Sequence, residues 1–171
     1  MNIGKSLKEM RGRKELSQEN VANDLFLDQT LISKIEKGKR TATEDFARRS
    51  VSLYSDAQYG FEVARETATD YITPLATANR AIEWHRLALE EVFINQASEA
   101  ITHFEEVSLV KNPDYVEEHE VEALKQGVKE LLDVQAIINS FLTVLEQEYP
   151  VSIKECMRNR IPTWKAKGWI S

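Results

Sequence analysis

Between Leu16 and Gly38 the chain carries two helix-length patterns separated by only a few residues, and this corner limits its fold more than any other feature. The first pattern opens at Ser17, whose hydroxyl can accept a bond from a backbone N–H that has no partner inside the helix. Val21, Ala22 and Leu25 then share one face at 100° per residue. The second is capped by Asp28. Its Leu31, Ile32 and Ile35 turn inward, while Gln29, Thr30, Ser33, Lys34 and Lys37 turn outward. Gly38 ends it as a C′ glycine. Upstream, Ile3, Leu7 and Met10 fall on one face of a helix running to about Arg13.

The outward face of the second helix bears specific chemistry. A glutamine amide sets a donor beside an acceptor, the pattern that matches N6 and N7 of adenine, and the hydroxyls of Thr30 and Ser33 are short, adaptable partners. Lys34, Lys37, Lys39 and Arg40 carry the charge that meets phosphate. Taken without its order, the same pattern describes a solvated amphipathic helix. The order is what separates the two readings. Leu16-Ser17-Gln18-Glu19, then Ala22, then the run Ile32-Ser33-Lys34-Ile35-Glu36-Lys37-Gly38-Lys39-Arg40 make residues 3–55 resemble the lambda-repressor-like (Xre, Cro/repressor-type) helix-turn-helix regulators.

That resemblance implies a partner, double-stranded DNA, with the second helix entering the major groove. Carried over by position, Gln29, Thr30 and Ser33 read bases, while Gln18, Lys34, Lys37, Lys39 and Arg40 serve the backbone. Gln18 either bonds a phosphate or braces Gln29. Arg11 and Glu36 match a structural ion pair of the family, and removing one partner of such a pair costs several kcal/mol. Phe26 stands where the family usually has glycine. A positive φ there costs a large L-residue roughly 1–2 kcal/mol. Either the corner is strained, or it is rebuilt so that Phe26 packs into the core or toward the C-terminal half.

Charge fits a basic head on an acidic body. The net charge of −6 divides unevenly: residues 1–55 hold 11 Lys and Arg against 8 Asp and Glu, and the remainder holds 11 against 20. At 171 residues and 42% hydrophobic, the chain can bury a core in one or two small domains. Cys156 is the only cysteine, which excludes an internal disulfide and suits a reducing cytosol. No apolar run approaches a membrane span, and the N-terminus is too polar for a signal peptide. The expectation is a soluble, cytoplasmic, all-α protein with no membrane partner.

Two domains are expected, 1–70 and 71–171. In the first, Thr43 caps a helix whose Phe46, Ser50, Leu53 and Tyr54 face inward, and Arg48 and Arg49 either reach the DNA backbone or stay solvated. Gly60 and Pro74 frame a connecting helix from Ala57 to Asp70, with Pro74 suited to an N1 position. Apolar residues from Ile82 to Val107, including Ala100/Ile101, predict a helix over 79–110, broken at Asn112-Pro113-Asp114. Val121, Leu124, Val128, Leu131, Ile138, Leu142 and Leu145 then occupy a and d positions of four heptads, with Gln135 the one polar a residue. Residues 79–149 read as an antiparallel hairpin that either pairs with a second chain, as a homodimer or higher homo-oligomer, or closes as a monomer under a 151–160 helix. Trp164 and Trp169 either dock on that bundle or meet another protein.

Other suggestive motifs fall short. Gly4-Lys5-Ser6 lacks the upstream glycine of a phosphate loop, and His119-Glu120 has Ala123 where a zinc helix needs histidine. Glu117, Glu118, Glu120 and Glu122 read as solvated helix surface. No catalysis, cofactor or metal is expected. The sequence points to a sequence-specific transcriptional regulator, most simply a phage or mobile-element repressor that binds a two-fold operator as a dimer. The alternative is an antirepressor or antitoxin-like module whose acidic helical C-terminal half binds another protein.

Overall fold

The computed structural model describes residues 1–77, 81–107 and 109–171, and within them it is all-α. Eight helices follow one another: α1 (Gly4–Arg13), α2 (Gln18–Leu25), α3 (Gln29–Glu36), α4 (Glu44–Leu53), α5 (Ala57–Thr67), α6 (Arg86–Glu106), α7 (Glu118–Glu148) and α8 (Ile153–Ala166). A short 3-10 turn, Pro113–Tyr115, precedes α7. None of the described helices is long and apolar enough to cross a membrane.

The helix starts follow local chemistry. Ser17 accepts from Asn20 N–H while the Asn20 side chain accepts from Ser17 N–H, so two stray donors are satisfied reciprocally. Thr43 and Asp56 cap α4 and α5 by accepting from Phe46 N–H and Tyr59 N–H. Asp28 precedes α3 in extended backbone, yet its carboxylate makes no capping bond, contrary to its sequence reading. Gly38 follows α3 at φ +66°.

The chain divides into two compact units, residues 1–74 with 145–171, and residues 75–144. Residues 145–171 belong with the first unit rather than continuing the second, unlike the single 71–171 stretch read from sequence. In the first unit, Ile3 just before α1, Leu7 and Met10 of α1, Val21 and Leu25 of α2, and Ile32 and Ile35 of α3 close one core with Phe46, Ala47 and Tyr59. Ser50 is also buried, donating to Ala47 O, so Tyr59 O–H is left to donate to Ser50 Oγ at 2.7 Å. Leu53, expected inside, is half exposed, because α4 turns Phe46, Ala47 and Ser50 to the core instead.

The returning segment is tied down by polar bonds. Glu146 accepts from Ala57 N–H and from Ile153 N–H, so one carboxylate caps the N-termini of both α5 and α8. Lys154 Nζ donates to the carbonyls of Val51 and Ser52 at the end of α4, and Ser152 bonds Ser55 at 3.0 Å. Burial pushes the Lys154 ammonium below its ordinary pKa. α8 also runs further than 151–160 and carries Pro162 inside it.

In the second unit, α6 and α7 form an antiparallel pair. Phe93 stacks on Phe141 with centroids 6.2 Å apart, and His103 Nε2 lies 2.9 Å from Ala123 O. A Cβ on Gly127 would fall 2.7 Å from the Phe104 ring, so a larger residue there would have to push that ring aside. The helix expected over 79–110 is shorter. Asn79 lies outside the described residues, Ile82 precedes α6, and Val107 is its C-cap. Ile101, expected on the buried face with Ala100, is 61% exposed. Pro74 does not open a helix; residues 73–76 are irregular, and Ala76 N–H donates to Ser140 Oγ at 2.9 Å.

Candidate functional site

A continuous chain of side-chain bonds runs from the interior of the first unit to the start of α3. Glu36 is almost wholly buried and receives Arg11 through Nε at 2.7 Å and through its terminal nitrogen at 3.1 Å. Gln18 Nε2 donates to the same carboxylate at 2.7 Å. Gln29 Nε2 then donates to Gln18 Oε1 at 2.9 Å. Three charge-assisted donors satisfy a carboxylate that burial would otherwise penalise. The pair holds the Arg11 guanidinium still more firmly protonated than usual. The first residue of α3 is therefore oriented by a bonded relay that begins at α1.

Of the two roles open to Gln18 from sequence, the geometry gives the bracing one. Both ends of its amide are committed, to Glu36 and to Gln29. Gln29 spends one N–H on Gln18 and keeps its other N–H and its oxygen on an exposed surface. Thr30 is exposed beside it, and Ser33, one turn on, is half-buried. Lys34, Lys37, Lys39 and Arg40 are all exposed. Lys39 and Arg40 N–H both return to Lys34 O, at 2.8 and 3.2 Å, which fixes the loop that carries them.

The corner before α3 is strained. Phe26 sits at φ +57° with its side chain 89% exposed, so it packs neither into the core nor elsewhere. Leu27 N–H closes back on Ala22 O at 2.8 Å and holds the turn.

Some roles were not legible beforehand. Arg49 donates to Leu25 O and so satisfies the end of α2, while its side chain stays on the exposed surface near Asp45. Arg48 pairs with Asp45 at 3.0 Å on the surface. Tyr54 O–H donates to Asp24 at 2.9 Å, and burial raises the tyrosine pKa well above its ordinary value. A groove of about 660 Å³ lies between α4, α5 and α8, walled by Ala47, Val51, Phe61, Ala64, Ile153 and Met157. Aromatic-cation contact occurs at the tail, where Lys167 Nζ lies 4.7 Å from the Trp169 ring centre.

The charge divides with the units. Residues 1–74 and 145–171 hold 17 Lys and Arg against 15 Asp and Glu, whereas residues 75–144 hold 5 against 13. Lys154, Arg158, Arg160, Lys165 and Lys167 of the returning segment contribute to that excess. The predicted heptad row is not the face that α7 buries within its own unit. Val121, Val128, Leu131 and Ile138 are exposed and Leu124, Leu142 and Leu145 half-buried, while α7 turns Gly127, Ile137, Ser140, Thr143 and Val144 inward.

No family model matches this chain, and neither a curated protein nor a solved structure does.

Proposed function

We propose that this protein is a sequence-specific DNA-binding transcriptional regulator, a repressor of the phage or mobile-element type that acts as a dimer on a two-fold operator. The observation that carries this reading is the relay from Arg11 through Glu36 and Gln18 to Gln29. A lone exposed glutamine has many rotamers, and ordering it on DNA costs free energy. Here the amide is held in advance with a free N–H beside a free oxygen, the arrangement that bonds N7 and N6 of one adenine.

The surroundings support the same reading. Gln29 and Thr30 lie at the N-terminal end of α3, the end of such a helix that reaches base edges. Lys34, Lys37, Lys39 and Arg40 are exposed on the same helix and the loop that follows it, and positive charge of this kind is what phosphate contacts need. A surface built only for solvation has no need of a buried carboxylate ordering its first residue.

The test is selection of bound duplexes from a random pool with the full chain, followed by Gln29→Ala. The variant should lose about 1–3 kcal/mol on the selected site and far less on random DNA. Equal losses on both would leave Gln29 without a reading role. A pool that never enriches would end the proposal.

A further inference from the structure

We infer that the groove between α4, α5 and α8 is a binding site for a small amphiphile, a medium-length alkyl chain with a single carboxylate head. The site goes beyond the DNA reading and does not depend on it, since no residue of α3 lines the groove. Its volume of about 660 Å³ falls within the roughly 300–1,000 Å³ of small-molecule sites.

Small residues open the trough. α5 lines it with Ala57, Gly60 and Ala64, at the three- and four-residue steps of one helix face. α4 meets that face with Ala47 and Val51. Side chains this short leave the space between the helices unfilled, and a Cβ on Gly60 would find no neighbouring atom within 4 Å. Glycine inside a helix weakens it, and no close approach of another element explains this one. From Ala57 to Thr67, which both line the groove, α5 rises about 15 Å, the length of an extended carboxylate of about ten carbons.

The charges around the groove select the head group. Three carboxylates border it, and each is already accommodated. Asp56 receives two bonds from Arg13, both at 2.8 Å, and one from Tyr59 N–H. Glu146 is committed to the N–H groups of Ala57 and Ile153. Glu44 sits in the first turn of α4, where the helix dipole favours negative charge. Lys154 is different. Its ammonium has three N–H groups and gives bonds to the carbonyls of Val51 and Ser52, which leaves one donor and an uncancelled charge. Partial burial, and then the neighbouring Arg158 charge, hold its pKa below the ordinary lysine value, and no carboxylate acts against them. Arg158, one turn further along α8, likewise pairs with no carboxylate among the described residues. An anionic head beside Lys154 supplies the missing counter-charge, while an alkyl tail displaces water from the apolar trough. A neutral head brings no such charge, and a cationic one meets repulsion.

The experiment is calorimetric titration of the full chain, without DNA, with decanoate, decanol and decyltrimethylammonium, each below its micelle concentration. Decanoate should bind at one molecule per chain and about tenfold more tightly than decanol, and the cation should not bind. Gly60→Leu fills the trough without a clash, so it should abolish uptake of decanoate and decanol while the unfolding midpoint holds or rises. Lys154→Met should bring decanoate down to the affinity of decanol. Lys154 also fastens α8 to α4, so Arg158→Gln serves as the second variant, expected to shrink the same preference without breaking a bond of the fold. No saturable uptake of decanoate, equal affinity for all three heads, or uptake unchanged in Gly60→Leu would overturn the assignment. So would an acidic amphipathic peptide that occupies the groove when decanoate does not, which would give the groove to a protein partner. None of these readouts involves DNA, so the site and the DNA reading fail separately.

Discussion

Gly4 meets the backbone of Ile35 so closely that a Cβ on Gly4 would fall 2.0 Å from the Ile35 carbonyl oxygen. The start of α1 therefore rests directly on the end of α3, and nothing larger than hydrogen fits between them. Gly4→Ala should push α3 outward, lowering stability by about 1–3 kcal/mol in denaturant titration and weakening DNA binding. Gly12, near the other end of α1, has open space where its Cβ would go. Gly12→Ala should instead gain up to about 1 kcal/mol. Equal effects from the two substitutions would deny the contact its role.

This glycine shows what the sequence disclosed and what it withheld. In the string Gly4-Lys5-Ser6 it looked like half a phosphate loop, and only the approach of α3 explains it. Periodicity identified α1, α2 and α3 and their inner faces, because each buries a stripe set by 3.6 residues per turn. Periodicity also groups residues by face without saying which face meets a neighbour. Leu53 and Ile101 were assigned inward on that ground and lie outward. The return of 145–171 depends on Glu146 reaching Ala57, 89 positions away, and local pattern carries no trace of such a bond. The Gln29–Gln18 bond was half visible, since the resemblance left Gln18 either bracing Gln29 or bonding phosphate, whereas nothing in the sequence reading placed Gln18 against Glu36.

Phe26 is strained without compensation. Its left-handed backbone costs roughly 1–2 kcal/mol, and its ring is too exposed to recover that by burial. Phe26→Gly relieves the strain but gives the unfolded chain more freedom, so the net gain should be about 0.5–1 kcal/mol. Thermal unfolding of the two proteins side by side is the check. A lower midpoint for the glycine variant would mean the ring makes a stabilising contact.

Tyr59 makes the first unit sensitive to alkali. Burial pushes its phenol up to about 12, so the fold favours the neutral form. A raised pKa contributes stability that is fully present below the unfolded value near 10 and is lost as pH rises through the folded one. Stability should thus be flat around pH 8–9 and fall between about 10 and 12. Tyr59→Phe gives up the bond to Ser50 and is less stable at neutral pH, but its decline above about pH 10 should be shallower. Parallel curves for the two proteins would assign the alkaline loss elsewhere.

Lys39 separates electrostatic grip from base reading. Its backbone is pinned to Lys34 O and its side chain is exposed, and under the proposed function it meets phosphate. Lys39→Ala should weaken binding to selected and random duplexes alike, and reduce the slope of log affinity against log salt by roughly one unit. An unchanged slope would put Lys39 away from the DNA.

The relay itself is open to a double-mutant cycle. Gln29→Ala removes the reader, whereas Gln18→Ala leaves the reader in place but unbraced and takes one donor from Glu36. If bracing is what makes Gln29 effective, Gln18→Ala should cost nearly as much affinity on the selected site as Gln29→Ala. The double variant should then cost little more than either alone, a coupling of about 0.5–3 kcal/mol. On random DNA neither substitution should matter much, because phosphate contacts dominate there. Arg11 and Glu36 remain paired in all three variants, so unfolding midpoints should move far less than the affinities do. Strict additivity on the selected site would show that the two glutamines act independently, and that the bond between them orients nothing.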